Sequence, residues 1–482
     1  MPAFKSGANY EKMTGAAASI ALSIGLCGTA IARTTIDWPT FGLNTIRNNY
    51  NASETTLSTA NVPGMKLHWK TKVGEAFKYQ PSLVRQVTTP SGTFDLVIAT
   101  LVDGNVTALN AATGKVVWTA SLGETQIPCP GSTASWGIGE PATLDIPNGR
   151  AFVVDAGGML HALSLSTGAE MAGYPVEVID ASNLAAGTWV HYSSPTLIGT
   201  SLYLSTSAFC ETKTVPYHGQ VIEFSTTSAT VVNRFYPLGN GNVLGGGVWG
   251  TGGVAMDPSG SSLWIGTANA LPPPQNTGNA EKVMQIDLNL NTLAANGPVL
   301  KSSGDLDFGS TPLLFQPVGC PPMVAAMNKS GLIVVYNSGN LAAGATQTLN
   351  VSDGSGSGKL IGMPSFDPVT NTVYVGDPKD SSDGTYLHGL LALQANASCQ
   401  LSLAWQQTVG TNDNESPSVT PVIANGVVYY SEGTAGVLAA FNASTGAPLW
   451  TSGDIGKADD ASIIVNGQVI VGAGKFVYAY GL

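Results

Sequence analysis

The sequence predicts an all-β fold, an eight-bladed β-propeller of four-stranded antiparallel blades. Three observations predict it. The first is composition: 58 glycines and 28 prolines in 482 residues, with 43% hydrophobic and only 11% charged residues. That mixture is too apolar for a disordered chain. It is also short of the charged residues that dress surface helices. The second is a strand–turn–strand segment that recurs along the chain. The third is its period, which leaves room for four short strands in each copy.

Two copies of the segment are clearest. One runs Ala108-Leu109-Asn110-Ala111-Ala112-Thr113-Gly114-Lys115-Val116-Val117-Trp118, the other Ala440-Phe441-Asn442-Ala443-Ser444-Thr445-Gly446-Ala447-Pro448-Leu449-Trp450. Asn110 and Asn442 suit a turn that their side chains cap. Gly114 and Gly446 suit the positive φ where the chain reverses. Trp118 and Trp450 then offer a flat face for docking onto a neighbouring sheet. Weaker copies fill the interval. Taking one equivalent position in each gives Val106, Leu160, Val221, Val283, Ile333, Leu390, Leu438 and Val477, eight copies about 39 to 62 residues apart. Further β-rich runs such as Leu96-Val97-Ile98-Ala99-Thr100 precede them.

Eight such sheets close most simply into a ring, which shelters strand edges from other chains. A β-helix would have shorter repeats, and two sandwiches would not share one repeat. The polar stretches 272–280 and 353–359 read as loops inside repeats. Residues 33–482 are therefore expected to form a single eight-bladed β-propeller domain.

Residues 1–32 read as a signal peptide. Lys5 and Lys12 precede a small-residue apolar stretch that contains Cys27 and ends in Ala30-Ile31-Ala32. That pattern predicts export and cleavage, with a periplasmic or secreted product. No other segment has 18 uninterrupted apolar residues, so no membrane span is expected in the mature chain. Cys129, Cys210, Cys320 and Cys399 remain. An even count in an exported chain predicts two disulfides, with three pairings open. The absence of CxxC and CxxCH disfavours a zinc ribbon and a covalent haem.

The net charge of −11 excludes a basic nucleic-acid footprint and makes an anionic membrane a poor partner. No Walker A, G-x-S-x-G or H-E-x-x-H occurs, against nucleotide hydrolysis, serine hydrolysis and zinc proteolysis. Asp377, Asp380 and Asp383 lack EF-hand spacing and read as a solvated turn. His161 and His388 lie in or beside repeat strands, as core or edge histidines.

The Ala-x-Asn-x-x-Thr-Gly-x-x-x-Trp pattern resembles the tryptophan-docking repeat of the quinoprotein propellers, the pyrroloquinoline quinone (PQQ)-dependent alcohol dehydrogenase-like family. Asp37-Trp38-Pro39-Thr40-Phe41-Gly42, followed by Leu67-His68-Trp69, is similar to that family's N-terminus. The resemblance covers nearly all of 37–482 and implies its fold. Non-catalytic propellers carry the same repeat, one of them serving outer-membrane protein assembly.

The resemblance also implies a site. Gly245-Gly246-Gly247-Val248-Trp249-Gly250 resembles the glycine-rich segment whose Trp stacks under the quinone, making Trp249 the platform. Gly266-Thr267-Ala268-Asn269 is similar to the motif whose Asn binds calcium. Asp305-Leu306-Asp307-Phe308-Gly309 is similar to the segment with the catalytic Asp, making Asp307 the general base and a metal ligand. A branch using lanthanides has a second acid where this chain has Gly309, so calcium is the expected ion. Asn328-Lys329-Ser330-Gly331 matches the segment whose Arg or Lys contacts the quinone oxygens, a role for Lys329. Glu211 is the nearest candidate for a further metal ligand, flanked by His191 and His218. The adjacent Cys-Cys pair of many of these dehydrogenases is absent, and no haem domain is appended.

These readings leave a PQQ- and calcium-dependent dehydrogenase of an alcohol or sugar, with an external electron acceptor. The alternative is a non-catalytic propeller scaffold binding a periplasmic protein or glycan. A third is a propeller holding another small ligand in its funnel.

Overall fold

The structure, a computed structural model, describes residues 35–482 except 75–78, 128, 130, 180–192, 210–216, 273, 299–305, 354–360, 414–418 and 434–435. The signal-peptide reading of 1–32 falls outside these residues.

Eight four-stranded antiparallel sheets follow one another around a ring. Blades one to seven span 82–121, 143–177, 196–235, 255–296, 313–350, 365–407 and 422–451. Blade eight takes three strands from 463–481 and its fourth from Lys66–Lys72. Helix among the described residues is limited to short 3-10 turns. Each predicted repeat position lies on the third strand of its blade, from Val106 on Asn105–Asn110 to Val477 on Phe476–Gly481.

Inner strands are covered on both faces by neighbouring blades, so they are apolar throughout. Leu96, Val97, Ile98 and Ala99 are all essentially inaccessible. On the outermost strand Val116–Ser121 only Trp118 is buried, in keeping with a strand that has one solvated face.

Two sets of contacts join the blades. On the outside, a Trp from one blade lies on the Thr-Gly turn of the next. Trp118 Nε1 donates to Leu165 O at 2.9 Å, and a Cβ added at Gly168 would come within 2.5 Å of the Trp118 ring. Gly168 has φ +73, so glycine meets both demands there. Trp69 docks likewise on Gly114, and Trp405 on Gly446, each ring nitrogen donating to a carbonyl at Ala111 or Ala443. Trp450 donates to Met65 O at 3.1 Å. Docking expected of Trp118 and Trp450 is thus present, and Trp69 and Trp405 join it.

On the inside, hydroxyls at the start of the innermost strands bridge to the next blade's backbone. Ser82 Oγ donates to Ala142 O at 2.7 Å, Thr143 Oγ1 to Pro195 O at 2.6 Å, and Thr196 Oγ1 to Val254 O at 2.7 Å. Ser365 Oγ donates to Pro421 O in the same way.

Residues 36–51 form a strap across the axis that reaches the innermost part of every blade. Trp38 bridges Leu83 of blade one, and Leu144 of blade two donates to Pro39 O. Met256 of blade four donates to Thr45 O, and Ile423 of blade seven to Asn49 O. Phe41 packs with Leu313 and Phe366 of blades five and six. Asn51 Nδ2 donates to Ile464 O of blade eight. Arg47 is fully buried against blade three, donating to Phe41 O, Pro195 O and the hydroxyls of Thr40 and Thr196. Burial pulls its guanidinium down to about 9.

Cys320 and Cys399 form a disulfide between blades five and six. Cys129 is also disulfide-bonded, and Cys210 lies outside the described residues.

His161 is a buried histidine on the third strand of blade two, Met159–Ser164, the core alternative of its strand position. Its Nδ1 is 2.5 Å from Glu170 Oε2 and its Nε2 3.4 Å from Asp155 Oδ2. Burial disfavours the charged ring, but the two carboxylates outweigh it and raise it to about 9.

Two predictions follow from these contacts. Trp118→Ala should cost about 3–5 kcal/mol, read as a lower urea midpoint. For His161, the unfolded ring titrates near ~6.5. Its contribution to stability should be complete below that pH and disappear as pH rises through 9. Urea titrations from pH 6 to 10 should show this fall in the wild type and not in His161→Gln.

Candidate functional site

Second strands run antiparallel to first strands. Loops that leave a second strand therefore share one end of the ring with loops that enter a first strand. Asn269 and Lys329 follow the second strands Ser262–Gly266 and Met323–Met327 of blades four and five. Trp249 and Asp307 precede the first strands Ala255–Met256 and Leu313–Phe315 of the same blades. Topology alone brings four of the expected site residues to one place.

Their contacts converge on Asp307, which is 2% exposed. Its Oδ2 accepts from Lys329 Nζ at 3.0 Å and from Trp249 Nε1 at 3.1 Å. Its Oδ1 accepts from the Asn269 backbone N at 2.8 Å. The Lys329 backbone N donates to Asp307 O at 3.0 Å, tying the two loops together. Lys329 Nζ also stands 4.8 Å from the centre of the Trp249 ring, a cation–π distance.

Local sequence explains the placement. The pair Leu244–Gly245 bonds to Ala270–Leu271, and Ala268 N donates to Gly247 O. This lays the glycine segment directly against the strand end that carries Asn269. Leu306 N donates to the buried Glu281 Oε1, and Phe308 N to Thr267 O, fixing the backbone on both sides of Asp307.

Gly309 has a steric reason. A Cβ there would come within 2.6 Å of Trp249 Cζ2 and 2.9 Å of Ile361 Cγ2. An acid at that position has no room while Trp249 keeps its place.

Asn269 Oδ1 is buried and makes no hydrogen bond among the described residues, while Asn269 is 3% exposed. A buried carbonyl oxygen without a donor is costly. Hard oxygens of this kind suit calcium. Among the described residues no three His, Cys, Asp or Glu cluster as a metal group. Glu211 and His191 lie outside them. His218 is described: burial lowers its ring below the usual value, and it bridges Gly245.

Sequence reading missed three features at this end of the ring. Asn328 is fully buried, and its Oδ1 caps the turn that carries Lys329 by accepting from Ser330 N and Leu332 N. Ser352 lies against that turn. Asp377, expected in a solvated turn, is 1% exposed. It ends the second strand Thr372–Asp377 of blade six, one position too early for the loop. Asp380 and Asp383 do belong to the turn, and Asp380 pairs with His388 at 2.7 Å.

Comparison with known proteins agrees with the fold. Residues 38–269 match the PQQ family model described as the glucose/ethanol/alcohol dehydrogenase β-propeller domain. Over those residues the chain is similar to that PQQ-type β-propeller domain. A quinohemoprotein alcohol dehydrogenase from Comamonas testosteroni shares the fold at TM-score 0.70 and 16% identity, covering 93% of this chain and 81% of its own. A europium-containing methanol dehydrogenase aligns at TM-score 0.69 and 14% identity, over 92% and 98%. BamB from Moraxella catarrhalis aligns at TM-score 0.53 and 13% identity, over 87% and 98%. These likenesses establish the architecture. No curated protein sequence matches the chain. No helix among the described residues is long and apolar enough to cross a membrane.

Gly309→Asp tests the packing of Gly309 against Trp249. It should lose about 1–3 kcal/mol through overpacking against Trp249. Thermal unfolding should show a lower midpoint, and added lanthanide should not restore it.

Proposed function

We propose that this propeller is an exported PQQ- and calcium-binding dehydrogenase that oxidises an alcohol or sugar to its carbonyl. The observation that carries the reading is the convergence of Trp249, Asn269, Asp307 and Lys329 at one end of the ring. Their side chains supply the groups such a site needs: an aromatic face, a cation, a carboxylate and an unsatisfied amide oxygen.

Asn269 Oδ1 and the Asp307 carboxylate would hold calcium, with Glu211 as a further oxygen ligand. Trp249 would provide the platform for the quinone, and Lys329 the positive charge against its oxygens. When bound, the quinone supplies the acceptor for two electrons and the substrate hydrogen. The protein's own part is positioning and proton transfer. Asp307 takes the hydroxyl proton of the substrate on a carboxylate oxygen. Lys329 must first leave the Trp249 face and one lone pair of Oδ2, since it occupies both here. With the quinone bound, its ammonium would pair with the quinone oxygens instead. Near-complete burial of Asp307 keeps bulk water from competing for its proton. Reoxidation calls for an external electron acceptor, and the placement of the protein is periplasmic or secreted.

A second reading is a scaffold for a periplasmic protein or glycan partner. Val318 and Val369 favour it: they are 81% and 77% exposed on adjoining loops of blades five and six.

Titration of the purified chain with PQQ and calcium, read by absorbance, separates the two. The dehydrogenase reading expects saturable, calcium-dependent binding. Trp249→Ala and Asn269→Ala should each weaken it at least roughly tenfold, a loss of about 1.4 kcal/mol or more. Asp307→Asn should remove turnover. Absence of binding at micromolar PQQ would leave the scaffold reading.

A further inference from the structure

Second strands run toward the candidate site. Turns that join first to second strands, and third to fourth, therefore open at the other end of the ring. At that far end a cavity of about 350 Å³ lies on the seam of blades six and seven. Val369, Thr370 and Asn371 line it from the first turn of blade six. Gln394, Ala404 and Trp405 line it from the third and fourth strands of the same blade. Ser444 lines it from the Thr-Gly turn of blade seven.

The walls are held in place before any ligand arrives. Asn371 Oδ1 accepts from Val318 N at 2.9 Å, and Gln394 Nε2 donates to Thr370 O at 3.0 Å. The buried Asp367 carboxylate accepts from Val369 N and Thr370 Oγ1, each at 2.9 Å. Trp405 is fixed by Ala443 O and the Gly446 turn. The Cys320–Cys399 disulfide ties the loop that carries Val318 to the turn that follows Gln394. A preformed wall costs little ordering on binding.

What these bonds leave over selects a ligand class. Asn371 Nδ2, Gln394 Oε1 and Ser444 Oγ take no part in a hydrogen bond among the described residues. The first donates, the second accepts and the third does both. Among the described residues no charged side chain lines the cavity, so an ion entering it would lose water without gaining a counter-charge. The ligand must be neutral, with several groups that donate and accept. It must also have an apolar face for Val369, Ala404 and the uncovered part of Trp405, which is only partly buried. A pyranose ring has both: hydroxyls around its rim and C–H groups on its faces. The volume is at the low end for small-molecule pockets. That suits a sugar unit rather than the roughly 800 Å² that a stable protein interface takes from each partner. We propose that this cavity binds a neutral sugar unit of a glycan, as an anchoring site apart from the reaction. This deepens the scaffold reading by choosing the glycan over the protein partner, and it rests on that reading for its purpose while the binding itself does not require the quinone.

The test is calorimetric titration of the full chain with cellotriose, maltotriose and triacetylchitotriose, in the absence of PQQ. At least one of the three should bind saturably, and trigalacturonate and acetyl-tetraalanine amide should not. Gln394→Ala removes the acceptor, and Ala404→Arg fills the cavity with a charged chain. Each should weaken the sugar at least roughly tenfold. Both positions are exposed, so the thermal midpoint and the PQQ–calcium titration should stay unchanged. Asn269→Ala, at the other end of the ring, should leave the sugar affinity as it was. The site is overturned if none of the three sugars binds, or if both far-end variants bind as the wild type does. It is overturned equally if Asn269→Ala abolishes binding, which would put the sugar at the quinone end, or if the peptide binds through Gln394, which would give the cavity to a protein. Sugar binding through Gln394 without PQQ binding supports the cavity and the scaffold reading together. PQQ binding without any sugar binding overturns the cavity alone.

Discussion

Pairing of Lys66–Lys72 with Phe476–Gly481 turns the chain into a ring. Strand edges seek partners, and a chain of sheets laid side by side would end in two open faces. Here an N-terminal strand completes the C-terminal blade. Each blade can then bury both faces against neighbours. The contiguous apolar runs of the inner strands depend on that closure, since no strand face would otherwise be dry on both sides.

Two girdles hold the closed ring, and their chemistry differs because their surroundings differ. Outside, space is available, and large indoles lie flat on glycine turns. Inside, the blades converge, and small hydroxyls reach the next backbone carbonyl directly. Ser82, Thr143, Thr196 and Ser365 are short enough for this. A rigid frame of this kind lets irregular loops carry functional groups without losing their relative positions. The site residues come from two successive blades, and their mutual distances are set by how those blades are locked.

Much of the fold was legible in the sequence because its signals are local and repeated. Asn110 caps its own turn within four residues, and Gly114 and Trp118 follow at fixed spacing. Trp405 was harder to find, because Cys399 to Leu401 replaces the Thr-Gly turn before it. The strap was not legible. Its contacts are set by partners hundreds of residues away, and nothing in Thr40 to Asn51 alone announces them. The candidate site was readable through short motifs around Trp249, Asn269, Asp307 and Lys329. The Lys329–Asp307–Trp249 contact was not, because it depends on how three loops meet. Asp377 was misplaced for a related reason: spacing to Asp380 and Asp383 says nothing about which of the three ends a buried strand.

The strap also bears on how the molecule is made. Ile36 and Asn466 exchange hydrogen bonds across 430 residues, and Asn51 bonds Ile464. Contacts so distant in sequence raise contact order, which slows folding. The strap precedes every blade in the chain, yet its contacts with blade eight cannot form until Ile464 and Asn466 are in place. An intermediate with blades one to seven formed would still have an open axis and an unpaired final edge. Such a species is exposed to aggregation until the last three strands arrive, so the strands from Ile463 to Gly481 govern the lifetime of the most vulnerable state.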